Sequence, residues 1–178
     1  RNGLEVVPWE DKADVYLINT CSVTERAEKK CRNIIRKMHR TAPEAKLIVT
    51  GCYAELRREE LLDIEGVSLV FGAQEKSLVV ARTLKMLGIT PLQETSVRQD
   101  VLEAYSSEER TRSFLKVQDG CNNFCAYCTV PFARGLSRNI PIDDVIAQAR
   151  QIASTGIKEI VITGVNTGDF GRTTGESF

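Results

Sequence analysis

Three brief apolar runs, Val15-Tyr16-Leu17-Ile18, Leu47-Ile48-Val49 and Val67-Ser68-Leu69-Val70-Phe71, alternate with stretches of helical periodicity. Such β-branched and aliphatic runs suit strands buried on both faces. The helical patterns fall at about Thr24–Arg40, Glu55–Leu62 and Glu75–Leu87. Strand followed by helix, repeated, is the order of an α/β domain built on an open parallel sheet with covering helices.

A second unit of the same kind begins near Ser113. Ser113–Asp119 reads as a strand, Ile142–Ser154 as a helix stopped by Gly156, and Glu159–Thr163 as a strand ending at Gly164. That is one βαβ unit with an expected right-handed crossover, the opening of a partial (β/α) barrel. Between the units, Pro91 and the acidic-serine run Ser106-Ser107-Glu108-Glu109 mark a linker. The resulting division is 1–88, 89–112 and 113–178. Both ends read as cut: Arg1-Asn2-Gly3 looks like the close of a helix, and Gly171–Phe178 stops where another helix is expected.

Three of the six cysteines fall within eight residues, Cys121-Asn122-Asn123-Phe124-Cys125-Ala126-Tyr127-Cys128, directly after the Ser113–Asp119 strand. Thiols that dense on a short loop are ligands for one soft metal centre. A closed zinc site or a fully ligated iron–sulfur cubane takes four protein ligands, so three leave one position open. A zinc loop and a disulfide cluster are the alternatives. No apolar run approaches the length needed to cross a bilayer, and no basic-then-apolar leader opens the sequence, so reduced thiols in the cytoplasm are expected and disulfides are not.

The remaining cysteines differ in setting. Ile18-Asn19-Thr20-Cys21 and Val49-Thr50-Gly51-Cys52 end two successive strands alike, and strand ends of a parallel sheet share one edge where ligands collect. Cys21 and Cys52 are therefore expected to be neighbours, each ahead of a helix, with Ser22-Val23-Thr24-Glu25 as a capping box for the first. They are either further ligands or two inert buried thiols. Cys31 shares an apolar stripe with Ala27, Ile34, Ile35 and Met38 and reads as core. Net charge is +0, yet Thr24–Arg40 carries seven Lys/Arg against two acids, a face that is either solvated or aimed at a phosphate backbone.

The three-cysteine loop, with Tyr127 before its last cysteine, resembles that of the radical S-adenosylmethionine enzymes. Joined to Asn19-Thr20-Cys21-Ser22-Val23-Thr24 and Val49-Thr50-Gly51-Cys52-Tyr53-Ala54, it resembles the methylthiotransferases within that superfamily. The resemblance implies a flavodoxin-like or Rossmann-like amino-terminal domain followed by a radical enzyme barrel. It implies that Cys121, Cys125 and Cys128 hold a [4Fe–4S] cluster whose fourth iron chelates S-adenosylmethionine, reductive cleavage of which gives a 5′-deoxyadenosyl radical. It implies that Cys21 and Cys52 fill two of the three ligand positions of a second, auxiliary [4Fe–4S] cluster, the first being contributed by a glycine-cysteine segment that precedes this sequence. The auxiliary cluster would carry the inserted sulfur, and a second S-adenosylmethionine the methyl group. Gly164 and Asn166 would line the S-adenosylmethionine pocket with Tyr127, and Arg134 or Arg138 would meet the cofactor carboxylate or a substrate phosphate. Partners implied are tRNA and an electron donor protein, without a membrane. Thr163-Gly164-Val165-Asn166-Thr167-Gly168-Asp169-Phe170-Gly171 is most similar to the enzymes acting on N6-threonylcarbamoyladenosine at C2 of the adenine. Isopentenyladenosine in tRNA, a ribosomal-protein aspartate, and a non-catalytic zinc- or RNA-binding module are the other readings, and this stretch of chain alone is expected to turn over little substrate.

Overall fold

The computed structural model describes residues 4–9, 11–22, 24–90 and 111–177. They form two compact units, one on each side of residues 91–110. The expected linker lies almost entirely outside the described residues.

The first unit is a three-stranded parallel sheet in the order β1 (Val15–Thr20), β2 (Lys46–Gly51), β3 (Val67–Gly72). Helix α1 (Glu25–Thr41) joins the first two strands. Two five-residue helices, α2 (Cys52–Leu56) and α3 (Arg58–Leu62), lead into β3, and α4 (Val79–Met86) follows a 3-10 turn at Ala73–Leu78. One helix was expected where α2 and α3 stand, and one where the 3-10 turn and α4 stand. In the first case Arg57 leaves helical geometry at φ −139°, which splits the run.

Burial follows strand position. Leu47, Ile48 and Val49 of the central strand are all fully buried. Leu47 and Val49 face a core with Ile35, Tyr53 and Leu61, whereas Ile48 packs with Phe71 and Val79 on the opposite side. Strand β1 departs from the expectation of two covered faces. Tyr16 and Ile18 point into the core while Leu17 is 53% exposed, because β1 is an edge strand with one face uncovered among the described residues. Leu47→Ala is accordingly expected to cost about 3 kcal/mol and Leu17→Ala less than about 0.5 kcal/mol, read as shifts in the urea unfolding midpoint.

On α1 the N-cap is Thr24, whose hydroxyl accepts the Ala27 N–H. The expected capping box is therefore corrected: Ser22 donates to Glu28 at 2.7 Å instead, and Thr24 caps alone. Ile35 and Met38 are buried and Cys31 packs partly buried against them, as the stripe predicts.

In the second unit β4 (Arg112–Lys116) pairs in parallel with β7 (Glu159–Thr163), and α6 (Ile142–Ser154) connects toward β7. Leu115, Val117, Ile140, Val145, Ile152 and Phe170 form its core. The expected strand Ser113–Asp119 is broken at Val117. Its far end, β5 (Gln118–Asp119), turns away and pairs antiparallel with β6 (Arg138–Asn139), just after the short helix α5 (Val130–Arg134). Pro141 at the start of α6 has no side chain that can cap it; the Ile142 N–H donates instead to Glu176, 2.9 Å away.

Candidate metal centre

The strand break puts the cysteine loop on a closed stem. Asp119 pairs with Arg138 and Gln118 with Asn139, so residues 120–137 leave and return through one antiparallel pair. The Cys121 N–H donates to the Gly135 carbonyl at 3.2 Å, and the Ser137 N–H to the Asn122 side chain at 2.8 Å. Gly120 sits at φ +74°, and a Cβ there would collide with the Leu136 carbonyl, so only glycine allows the two sides of the stem to approach.

All six cysteines are free thiols; Cys125 is exposed and Cys121 and Cys128 are half-buried. The Cys128 N–H closes a turn on the Cys125 carbonyl at 2.9 Å. Around them lie exposed apolar groups: Phe124, Tyr127 (91% exposed), Phe132 and Leu136. Phe124 and Phe132 meet edge to face at 5.8 Å, and Phe124 takes the left-handed φ of 46° that is uncommon for an aromatic residue. Among the described residues, no three His, Cys, Asp or Glu side chains converge closely enough to hold one metal ion. The loop thus gathers three accessible thiols inside an apolar rim without pre-setting them, and metal–thiolate bonds would supply the convergence. This donor set fits a soft cluster with one position left over.

Behind the loop, Asp119 is buried and collects positive partners. Lys116 Nζ lies 2.9 Å from Oδ2, Arg134 Nη1 3.3 Å from Oδ1 and Arg138 Nη2 3.4 Å from Oδ2, while the Gly120 N–H donates to Oδ1 at 3.0 Å. Burial by itself raises the Asp119 pKa, but the Lys116 hydrogen bond and charge, the Arg134 charge and the Gly120 amide together outweigh it and hold the carboxyl below its ordinary value. A lowered folded pKa contributes stability present above an unfolded value of about 4 and lost as pH falls through the folded one. Asp119→Asn is therefore expected to lower stability by about 2 kcal/mol at pH 7 and to flatten the acid limb of stability against pH. Unfolding midpoints at neutral pH and near pH 3 measure both effects.

Arg134 and Arg138, expected to meet a cofactor or a phosphate, are thus both drawn onto Asp119. Arg138 also donates to the carbonyls of Arg134 and Leu136 at 2.6 and 3.3 Å.

The group that sequence reasoning missed is Gln118, fully buried beneath the loop. Its amide nitrogen donates to the carbonyls of Asp119 and Gly120 at 3.0 and 2.8 Å and to the Ser137 hydroxyl at 2.9 Å. Its oxygen accepts the Asn166 N–H at 2.8 Å. One side chain thereby joins the loop stem to the segment after β7. Gly164 finds its reason here: a Cβ would stand 2.9 Å from Gln118 Oε1 and 3.1 Å from Thr167 Cγ2, so close packing on Gln118 already requires glycine. Asn166 spends its own side chain on Asp169 at 2.8 Å.

In the first unit, parallel pairing sets Thr20 opposite Gly51, and Cys21 and Cys52 are the next residues on each strand. The Thr20 hydroxyl fastens this edge, donating to the Thr50 carbonyl at 2.7 Å and accepting the Ala54 N–H at 3.3 Å. Cys21 is exposed and Cys52 half-buried at the head of α2. Cys21 stands ahead of α1 as expected, three residues before its Thr24 cap, whereas Cys52 is itself the first residue of α2. Two thiols do not complete a donor set.

Residues 1–72 match the family described as uncharacterized protein family UPF0004, and residues 115–174 match the radical SAM superfamily. The chain is 40% identical over 96% of its length to the threonylcarbamoyladenosine tRNA methylthiotransferase of Bacillus subtilis, covering 39% of that protein. It is 37% identical to the enzyme of the same name from Aquifex aeolicus, over 96% of this chain and 43% of that one. It is 31% identical to the tRNA-2-methylthio-N(6)-dimethylallyladenosine synthase of Thermotoga petrophila, over 97% of this chain and 40% of that one. The chain thus spans about two fifths of the curated relatives it matches. A UPF0004 segment is followed by a radical SAM segment, and over nearly its whole length the chain is similar to radical S-adenosylmethionine methylthiotransferases.

Proposed function

We propose that this chain is the cofactor-bearing part of an enzyme that adds a methylthio group to C2 of N6-threonylcarbamoyladenosine in tRNA. The observation that carries the reading is the closed, apolar-rimmed loop with three accessible thiols, within a segment that matches the radical SAM superfamily. The threonylcarbamoyl substrate is supported by the names of the relatives at 40% and 37% identity.

In this reading Cys121, Cys125 and Cys128 hold a [4Fe–4S] cluster and leave one position for S-adenosylmethionine. When bound and reduced by an external electron donor, the cluster would pass one electron to the sulfonium of S-adenosylmethionine and so cleave a carbon–sulfur bond. The chain's own residues do the positioning. Gln118 fixes the Gly164–Asn166 segment against the loop stem, and both segments, with Tyr127, are assigned to the cofactor's surroundings. Asp119 holds Arg134 at the stem, and the exposed aromatic groups of the loop offer an apolar surface beside the thiols. Cys21 and Cys52 are assigned to the auxiliary cluster.

Anaerobic reconstitution of the full-length enzyme should give a brown protein with iron and acid-labile sulfide in equal amounts. A colourless protein with one zinc per chain would sink the reading. For the substrate, tRNA nucleosides from cells lacking the gene should lose methylthio-threonylcarbamoyladenosine and retain methylthio-isopentenyladenosine; the reverse loss assigns the other substrate.

A further inference from the structure

Helix α1 carries seven cations, and they are used in two ways. Arg32 is turned inward: its Nη1 donates to the Tyr53 hydroxyl at 2.6 Å and to Glu60 Oε1 at 2.9 Å. The other six, Arg26, Lys29, Lys30, Arg36, Lys37 and Arg40, are exposed and form no ion pair among the described residues. Arg36 and Arg40 border a hollow that also contains Glu60, Asp63 and Glu65, which tempers that flank. Arg26, Lys30 and Lys37, with Asn33 between them, follow one ridge at intervals of four, three and four residues on the outer face, and of these Arg26 also borders a hollow that contains Glu25, Glu28 and Glu60.

This placement works against the helix. Arg26 and Lys30 stand four residues apart with like charge, as do Arg36 and Arg40, which is unfavourable. Arg26, Lys29 and Lys30 also lie near the N-terminal end, where the helix dipole disfavours cations. Arg40 in the last turn suits the dipole and Lys29 follows Glu25 by four residues, but the ridge cations Arg26, Lys30 and Lys37 have no acidic neighbour three or four residues away on the helix, so an external polyanion is their simplest use.

We infer that the outer ridge of α1 is a docking surface for the phosphodiester backbone of RNA, an inference that rests on the tRNA reading above. A rise of 1.5 Å per residue spreads Arg26 to Lys37 over about 17 Å, several phosphates of one strand. The chemistry selects among polyanions. A membrane-surface helix needs an exposed apolar face, and here that face is spent on the sheet. A protein interface centres on aromatic or other apolar anchors, and the ridge presents only cations and Asn33.

The test is binding of bulk tRNA to the full chain across about 50–200 mM salt, where counterion release sets the slope. The combined variant Arg26→Gln, Lys30→Gln, Lys37→Gln should flatten the slope of log affinity against log salt by about 2 and weaken binding at least tenfold at the low-salt end. A control with equal charge change on α4 and α6, Arg82→Gln, Lys85→Gln, Arg150→Gln, should leave the slope unchanged. Equal effects from both variants, or none from the first, overturn the inference. So does polyglutamate binding the unaltered chain as tightly as tRNA does. The ridge variant's urea midpoint should equal or exceed that of the unaltered chain, and a clear fall would show that the charges serve the fold. None of these results touches the iron, sulfide and nucleoside measurements, which judge the catalytic reading separately.

Discussion

Replacing Cys121, Cys125 and Cys128 together by alanine is expected to abolish loop-bound iron and S-adenosylmethionine cleavage while leaving the unfolding midpoint of the chain without metal within about 0.5 kcal/mol of the starting protein. The thiols sit on an exposed or half-buried loop, make no disulfide, and take no part in the core of the second unit. The stem is closed by backbone pairing and by Gln118, Asn122 and Gly120, none of which the variant alters. Stability and iron loading should therefore separate cleanly. Each single Cys→Ser variant should lose cleavage almost as fully as the triple one, because a cluster short of a ligand is poorly held. Full iron content and unchanged cleavage in the triple variant would move the radical chemistry elsewhere in the enzyme.

The second large effect is expected at Gln118. Gln118→Ala removes a buried amide with four close polar contacts and leaves a cavity, a loss of about 3 kcal/mol. Gln118→Glu is the more informative variant. It keeps the shape and the acceptor for the Asn166 N–H, but sets a carboxylate against the carbonyls of Asp119 and Gly120. It should cost nearly as much as alanine in urea unfolding and should speed amide exchange at Asn166 less than alanine does. A Gln118→Glu protein as stable as the original would show that the donor half of the amide is dispensable.

These two sites differ in how far the sequence discloses them. The cysteine loop is legible because ligand identity and spacing are local properties. The adjacency of Cys21 and Cys52 is also legible, since parallel pairing of two similar strand ends is enough to bring Thr20 and Gly51 together. Gln118 is hidden because the strand bends at Val117: alternation from Ser113 and Leu115 assigns the inward side to Val117 and the outward side to Gln118, yet both are fully buried. That bend depends on pairing with Arg138–Asn139, some twenty residues away, which no local pattern encodes. Arg32 is a similar case, since its periodicity puts it on the basic face and only Tyr53 and Glu60 draw it inward. Gly164 shows a second role that the sequence does not disclose, since its missing side chain also lets the backbone pack on Gln118.

The closed stem also bears on how such a chain can change over time. Because residues 120–137 start and finish on one antiparallel pair, altering their length or content leaves the register of β4 against β7 untouched. The loop is in that sense a cassette: it can be exchanged as a block between scaffolds, with Gln118, Asp119 and Arg138 as the joints that the new host must supply.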